Sequence, residues 1–212
     1  MSRPQMIVLA TRNSGKLHEI QAVLKHLPVR AAGLEEFDGI AEPAETGDTF
    51  AENACAKALY YARATGHWCL ADDSGLMVDA LGGRPGVHSA RWAADRCPPD
   101  CDRQRIDAAN NAMLLARLAG VADERRTARF CCAMALADPA GRIIVETSGT
   151  VEGRIGREPR GENGFGYDPL FYVPSLGCTT AELPPAKKNE ISHRGKAARR
   201  LANQLGELLE RQ

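Results

Sequence analysis

Net charge is the first thing this chain lacks: 27 Lys and Arg stand against 27 Asp and Glu in 212 residues. With no excess of either sign there is no global field to hold a nucleic-acid backbone. No nucleic-acid partner is therefore expected, although a local group of cations can still serve a small anionic ligand. Long apolar runs are missing too. The longest uncharged one, Phe130 to Ala137, falls far short of the ~18–20 residues that a membrane helix needs. The run Met6 to Ala10 is too short for the core of a signal peptide. A cytoplasmic location without membrane attachment is expected, with reduced thiols. The seven cysteines agree, because seven is odd and their positions show no paired zinc spacing. Cys97 and Cys101 form a lone C-x3-C beside prolines, and all seven are read as idle or buried thiols. No internal repeat or low-complexity tract is present. What is there is ordinary globular composition, 44% hydrophobic and 25% charged, enough for one domain or two small lobes.

The order of elements points to an α/β fold. Met6-Ile7-Val8-Leu9-Ala10 reads as a fully buried strand, and Leu17, Ile20, Leu24 and Leu27 then recur at helical spacing until Pro28 and the Gly33 region. A polar stretch follows from Glu35 to Thr46. Thr49 and Glu52 make a T-x-x-E capping box for a second helix that Gly66 closes. Phe50, Ala54, Lys57, Ala58 and Tyr61 share its face. Trp68 to Ala71 reads as a strand ending at Asp72-Asp73-Ser74-Gly75. A third helix is expected from Asp102 to Ala119, with Ile106, Ala109, Met113 and Ala116 inward. Arg129 to Ala137 and Arg142 to Val151 read as a hairpin around the turn Asp138-Pro139-Ala140-Gly141. Gly161 to Asp168 is a glycine-rich loop before the strand Leu170 to Val173. A last helix starts near Ser192 and carries Ala198, Leu201, Leu205 and Leu208. A hairpin inside such a sheet argues for a mixed rather than a purely parallel one.

Four stretches carry residues suited to chemistry. Thr11-Arg12-Asn13-Ser14-Gly15-Lys16 lies between a strand and a helix, where backbone N–H groups make a ready phosphate site; it is no Walker loop, and an ordinary polar turn is the bland alternative. Asp72-Asp73-Ser74-Gly75 places two carboxylates side by side, which repel unless cations or donors compensate. The readings are Mg²⁺ ligation with activation of a water, or a turn with one Asp as cap. Glu45 lies in the loop that feeds the capped helix, and Lys57 sits on that helix's otherwise apolar face. Such a lysine either snorkels to the surface or aims at a phosphate. Gly164-Phe165-Gly166-Tyr167-Asp168-Pro169, with Lys187-Lys188 and Ser192-His193-Arg194, offers an aromatic face for a base. Asp168 can accept from ring N–H groups there, while His193 and Arg194 can donate. The bland readings are a tight turn and plain helix capping.

Together these stretches are distinctive. "ATRNSGK", "ETGDTFAENACAKA", "LADDSGL", "LGGRPGVHSARW", "GFGYDPLF" and "ISHRGKA" occur in this order, and with them the chain resembles the inosine/xanthosine triphosphate pyrophosphatase family from about Ile7 to Leu205. The resemblance implies a mixed α/β fold with an elongated central sheet, flanking helices and two lobes around an active-site cleft, in one domain spanning 1–212. It implies a homodimer that uses Mg²⁺ to convert dITP, ITP and XTP to the monophosphate and pyrophosphate. By motif, Asp73 is the proton acceptor and a metal ligand, with Glu45 the other metal ligand. Thr11, Arg12, Asn13, Ser14, Gly15, Lys16 and Ser74 would hold the triphosphate, with Lys57 a further contact. Phe165, Gly166, Tyr167, Asp168, Lys188, His193 and Arg194 would hold the nucleoside. The insert Arg96 to Asp102 matches none of the family's motifs.

The chemistry of these residues is consistent with that role. Mg²⁺ prefers one or two carboxylates plus phosphate oxygens to an all-protein cage. Hypoxanthine and xanthine carry a carbonyl at carbon 6 where adenine carries an amine, so donors from His193 or Arg194 pair with the first and oppose the second. Buried polar groups left unpaired give rejection of ~10⁴ or more. A related pyrophosphatase for modified pyrimidine or methylated nucleotides, and a non-catalytic nucleotide sensor, are the alternatives. The "GFGYDP" and "SHRG" segments oppose the first, and Glu45 with Asp73 opposes the second.

Overall fold

The computed structural model describes residues 4–98 and 100–211. Pro99, inside the 96–102 insert, lies outside them. The chain begins with β1 (Gln5–Leu9), α1 (Ser14–Leu24) and β2 (Val29–Gly33), then α2 (Phe50–Thr65) and β3 (Trp68–Val78). It continues with α3 (Arg103–Arg117), β4 (Thr127–Ala137) and β5 (Ile143–Ile155). Last come β6 (Phe171–Val173), β7 (Cys178–Thr179), α4 (Pro185–Ile191) and α5 (His193–Glu210). The strands order as β2-β1-β3-β4-β5-β6-β7. β1 pairs parallel with β2 and β3, whereas β6 pairs antiparallel with β5 and β7, so the sheet is mixed as expected. Among the described residues no helix is long and apolar enough to cross a membrane.

The chain divides into two compact units. One takes the chain up to Asp73, then Cys132–Gly149 and everything from His193; the other takes Ser74–Cys131 and Thr150–Ser192. In the first, Ile7, Leu9 and Leu70 pack with Ile20 and Leu24 of α1 and Ala198, Leu201 and Leu205 of α5. The opposite side chains of the same strands, Val8, Cys69 and Ala71, pack with Ala54, Ala58, Tyr61 and Ala62 of α2. Each strand is thus buried on both faces, which is why β1 reads as a continuous apolar run. In the second unit, Leu76, Val78, Leu114, Leu118, Phe130 and Phe171 form the core.

Capping and turn chemistry match the sequence closely. Thr49 caps α2 with the full box, and Gly66 closes it at φ 71°. Gly141 N donates to Asp138 O at 3.1 Å to close the hairpin turn. Two readings need correction, and three elements were not expected. β3 does not end at Asp72; it runs through the whole Asp72-Asp73-Ser74-Gly75 segment to Val78, because each carboxylate finds its own partners on alternate faces of the strand. α3 buries Asn110, Met113 and Leu114, while Ala116 is exposed. The buried amide of Asn110 bonds Ala93 N at 2.8 Å and the carbonyls of Ser89 and Ala90 at 3.4 Å, so a polar residue sits on the inward face and shifts the apparent apolar stripe. β2 has no counterpart among the expected elements, and neither has β7, which is only 2 residues long. α4 occupies a polar stretch opened by prolines, which fit the first helical turn.

Candidate active site

The first unit gathers the residues suited to phosphate and metal. Asn13 caps α1: its Oδ1 accepts from Lys16 N at 3.1 Å, and its own N–H bonds Thr11 Oγ1 at 3.2 Å. Thr11 to Lys16 is therefore a true strand-to-helix turn, with the N–H groups of Ser14 and Gly15 at the positive end of the helix dipole. Arg12 is exposed and donates to Ile40 O at 2.9 Å, which ties the loop of Glu45 to this turn. Lys16 reaches back to β3, with Nζ 2.9 Å from Asp72 Oδ2.

Side chains alternate along a strand, so Asp72 and Asp73 face opposite ways and meet different partners. Asp72 Oδ2 also lies 3.3 Å from Arg194 Nε, and Arg194 Nη1 lies 2.6 Å from Glu19 Oε2. Burial pushes the Asp72 carboxyl up, but Lys16, Arg194 and Lys57 outweigh it and hold it well below the usual carboxylate range. Beside it, burial and the Asp72 charge push the Cys132 thiol far up, so it stays protonated and inert. Asp73 lies on the other face. Its Oδ2 accepts from Asn53 Nδ2 at 2.9 Å, and its Oδ1 lies 3.7 Å from Lys57 Nζ. Glu45 Oε1 is 2.7 Å from the same ammonium. Burial raises the Asp73 carboxyl against the opposing pull of Lys57 and Asn53. Lys57 is itself lowered by burial and raised by Asp73, Asp72 and Glu45, with a net rise.

Lys57 thus does not snorkel; it is 8% exposed and joins two carboxylates. Glu45 and Asp73 offer carboxylate oxygens of the kind that could hold a hard divalent cation. Among the described residues no group of three or more His, Cys, Asp or Glu side chains forms a complete metal cage. Two carboxylates with the remaining positions left to water and phosphate suit Mg²⁺ rather than Zn²⁺. His193 and Arg194, expected at the base, open α5 and are buried. The guanidinium of Arg194 is held by Glu19 and Asp72, and this pairing raises its pKa against burial.

The second unit holds the aromatic loop, and Ser74, its first residue, is half-buried on β3. Asp168 organises the loop. Its Oδ2 accepts from Phe165 N at 2.8 Å and from Lys188 Nζ at 2.6 Å, and its Oδ1 accepts from Thr180 Oγ1 at 2.9 Å. The Lys188 ammonium stands 4.6 Å from the Phe165 ring centroid, a cation–π distance. Gly164 has φ 81°, and a side chain there would collide with the Asp168 carboxylate, so only glycine fits. Tyr167 is buried, and its hydroxyl donates to Ser89 O at 3.0 Å.

Sequence reasoning gave no role to Asn53, Glu19 or Thr180. Asn53 was findable: it lies four residues before Lys57 on α2, hence on the same face. Besides Asp73, it holds Gly47, whose N–H donates to Asn53 Oδ1 at 2.8 Å. Glu19 and Thr180 meet Arg194 and Asp168 only through long-range packing, which no local spacing reveals.

Known proteins share this arrangement's sequence. A dITP/XTP pyrophosphatase of Exiguobacterium sibiricum is 51% identical over 92% of this chain and 94% of that protein. One from Desulforamulus reducens is 52% identical over 95% of this chain and 96% of that protein. The solved structure of a HAM1 protein from Coxiella burnetii superposes with a TM-score of 0.84 at 44% identity, covering 96% of this chain and 99% of that one. The Ham1 family model matches residues 7–204, and the chain belongs to that family.

Proposed function

We propose that this chain hydrolyses non-standard purine nucleoside triphosphates such as dITP, ITP and XTP to the monophosphate and pyrophosphate, clearing them from the nucleotide pool. The reading rests above all on Glu45 and Asp73 meeting at one cation next to the Asn13-capped turn, in a chain half identical to dITP/XTP pyrophosphatases. The reaction is hydrolysis of an acid anhydride. Water attacks the α-phosphorus, the bond to the bridging oxygen breaks, and pyrophosphate leaves. Asp73 accepts the water's proton, and burial raises its carboxyl above the ordinary carboxylate value. Asn53 fixes the Asp73 carboxylate, while the N–H groups at the start of α1, with Lys16 and Lys57, offset charge on the departing phosphates.

Mg²⁺ is the cofactor this donor set supports, held by Glu45 and Asp73; when bound it supplies charge for the triphosphate and a more acidic water. Four carboxylates, Glu19, Glu45, Asp72 and Asp73, stand against three cations, Lys16, Lys57 and Arg194. Held by Glu45 and Asp73, a divalent ion would reverse that deficit. Phe165 stacks on the base, Asp168 and Lys188 fix its plane, and His193 and Arg194 supply donors for a 6-carbonyl. The part assigned to Arg194 passes through a guanidinium already held by two carboxylates, so it is a rigid donor with permanent charge. The family resemblance supports a homodimer working in the cytoplasm on small-molecule substrate, without nucleic acid or membrane.

The test is a panel of ITP, dITP, XTP, GTP and ATP with Mg²⁺, reading pyrophosphate and orthophosphate separately. Pyrophosphate from the first three, with little turnover of ATP, is expected. Stepwise orthophosphate release with accumulation of IDP would refute it.

A further inference from the structure

One helix outside the phosphate and metal residues reaches the aromatic loop. Asp107 and Asn111 lie one turn apart on α3, so they share a face, and both end on Gly166. Gly166 N donates to Asp107 Oδ2 at 2.9 Å, and Gly166 O accepts from Asn111 Nδ2 at 2.9 Å. These two groups belong to successive peptide planes, one shared with Phe165 and the other with Tyr167. Holding both fixes the torsions of Gly166, which has φ 64° and no side chain to restrict it. The chemistry is matched, an acceptor to the N–H and a donor to the C=O. Asp107 is in turn steadied by Arg103 Nε at 2.9 Å.

A second observation separates this pair from ordinary packing. Asn111 Oδ1 is buried without a hydrogen-bond partner among the described residues. A lone buried acceptor is costly, and an apolar side chain of similar size would avoid it. What the amide contributes therefore lies in its Nδ2 bond to Gly166 O.

We propose that Asp107 and Asn111 are positioning residues for base recognition: they set the direction of the Phe165 ring by clamping Gly166 from α3, without touching the substrate. The inference rests on the reading of this loop as the base site. It predicts that the clamp matters only for substrates that carry a base.

The experiment uses the full chain with Asn111→Leu, which removes the donor and the unpaired acceptor together, and Asn111→Asp, which keeps shape but loses the donor. KM and kcat are measured on ITP and on ribose 5′-triphosphate, with Tm alongside. Loss of one hydrogen bond predicts a KM for ITP raised about three- to tenfold, with kcat and ribose triphosphate turnover within twofold. Tm of Asn111→Leu should be equal or higher. Asp107→Asn keeps an acceptor and should stay near wild type, whereas Asp107→Ala should follow the Asn111 variants. Unchanged KM for ITP in both Asn111 variants, or equal loss on the two substrates, would overturn the clamp while leaving the pyrophosphatase reading in place. A wild-type protein inactive on both substrates would overturn that reading and the clamp with it.

Discussion

The two units order their polar residues by different means. In the first, charged side chains stand on regular elements: Asp72 and Asp73 on β3, Lys57 on α2, Lys16 and Glu19 on α1, and Arg194 on α5. Each carboxylate there is tied to at least one cation within 3.7 Å. In the second, the glycine loop around Phe165 is shaped mainly by hydrogen bonds to its backbone, from Asp168, Asp107 and Asn111. Triphosphate is the same in every nucleotide and needs only fixed charge. A base is flat and distinctive, and needs a surface held at one angle. The difference teaches that rigidity comes from buried ion pairs in one case and, in the other, from a braced peptide beside the buried Asp168–Lys188 pair.

The comparison breaks most sharply at Asp73. Asp73→Asn keeps the bond to Asn53 and the shape of the strand but loses the proton acceptor, so kcat should fall by ~10²–10⁴-fold on every substrate with Tm little changed. Near wild-type kcat in folded protein would move the role to another carboxylate. Lys57→Met should come next. It removes a charge-assisted contact worth ~1.5–3 kcal/mol, so KM should rise by about ten- to a hundredfold for ITP and for ribose 5′-triphosphate alike. Binding titrations with a non-hydrolysable analogue would check this without turnover. Phe165→Ala should cost stacking worth ~1–3 kcal/mol, seen as a higher KM for ITP and XTP only.

The smallest effect is a matter of pH, and it sharpens the contrast between neighbours on one strand. Asp72 is depressed, so its contribution to stability is present above the unfolded value of ~3.9 and is lost as pH falls toward its folded pKa. Asp73 is raised by burial, so the metal-free folded protein binds its proton more tightly than the unfolded chain does. The stability this gives is present below ~3.9 and lost as pH rises through the folded pKa. Carboxyl ¹³C titrations should show Asp73 changing first as acid is added and Asp72 last. Co-titration of the pair near pH ~4 would contradict the separate surroundings described for them.

Much of this was legible in the sequence where the signal is local. The capping box of Thr49 and Glu52, the Gly66 stop and the Asp138–Gly141 turn are short patterns with one physical reading each, and all are present. The apolar run of β1 announced a strand buried on both faces. The misses are of another kind. A carboxylate pair inside β3 looked like a strand end because solitary charges do not survive in a core; Lys16, Arg194 and Lys57, distant in sequence, are what permit it. Asn110 misled the reading of α3 for the same reason, its amide being satisfied by residues 89–93. The partners of Arg194 and the α3 contacts to Gly166 lie 55 to 175 residues apart, beyond any motif window.

The division of labour between charge and stacking is tested most directly by kcat/KM of wild type, Lys57→Met and Phe165→Ala on two substrates, ITP and ribose 5′-triphosphate. Lys57→Met should lower both values by a similar factor. Phe165→Ala should lower the value for ITP toward that for ribose triphosphate and leave the latter within twofold. Equal loss on both substrates from Phe165→Ala, or a Lys57→Met enzyme that spares ribose triphosphate, would contradict it.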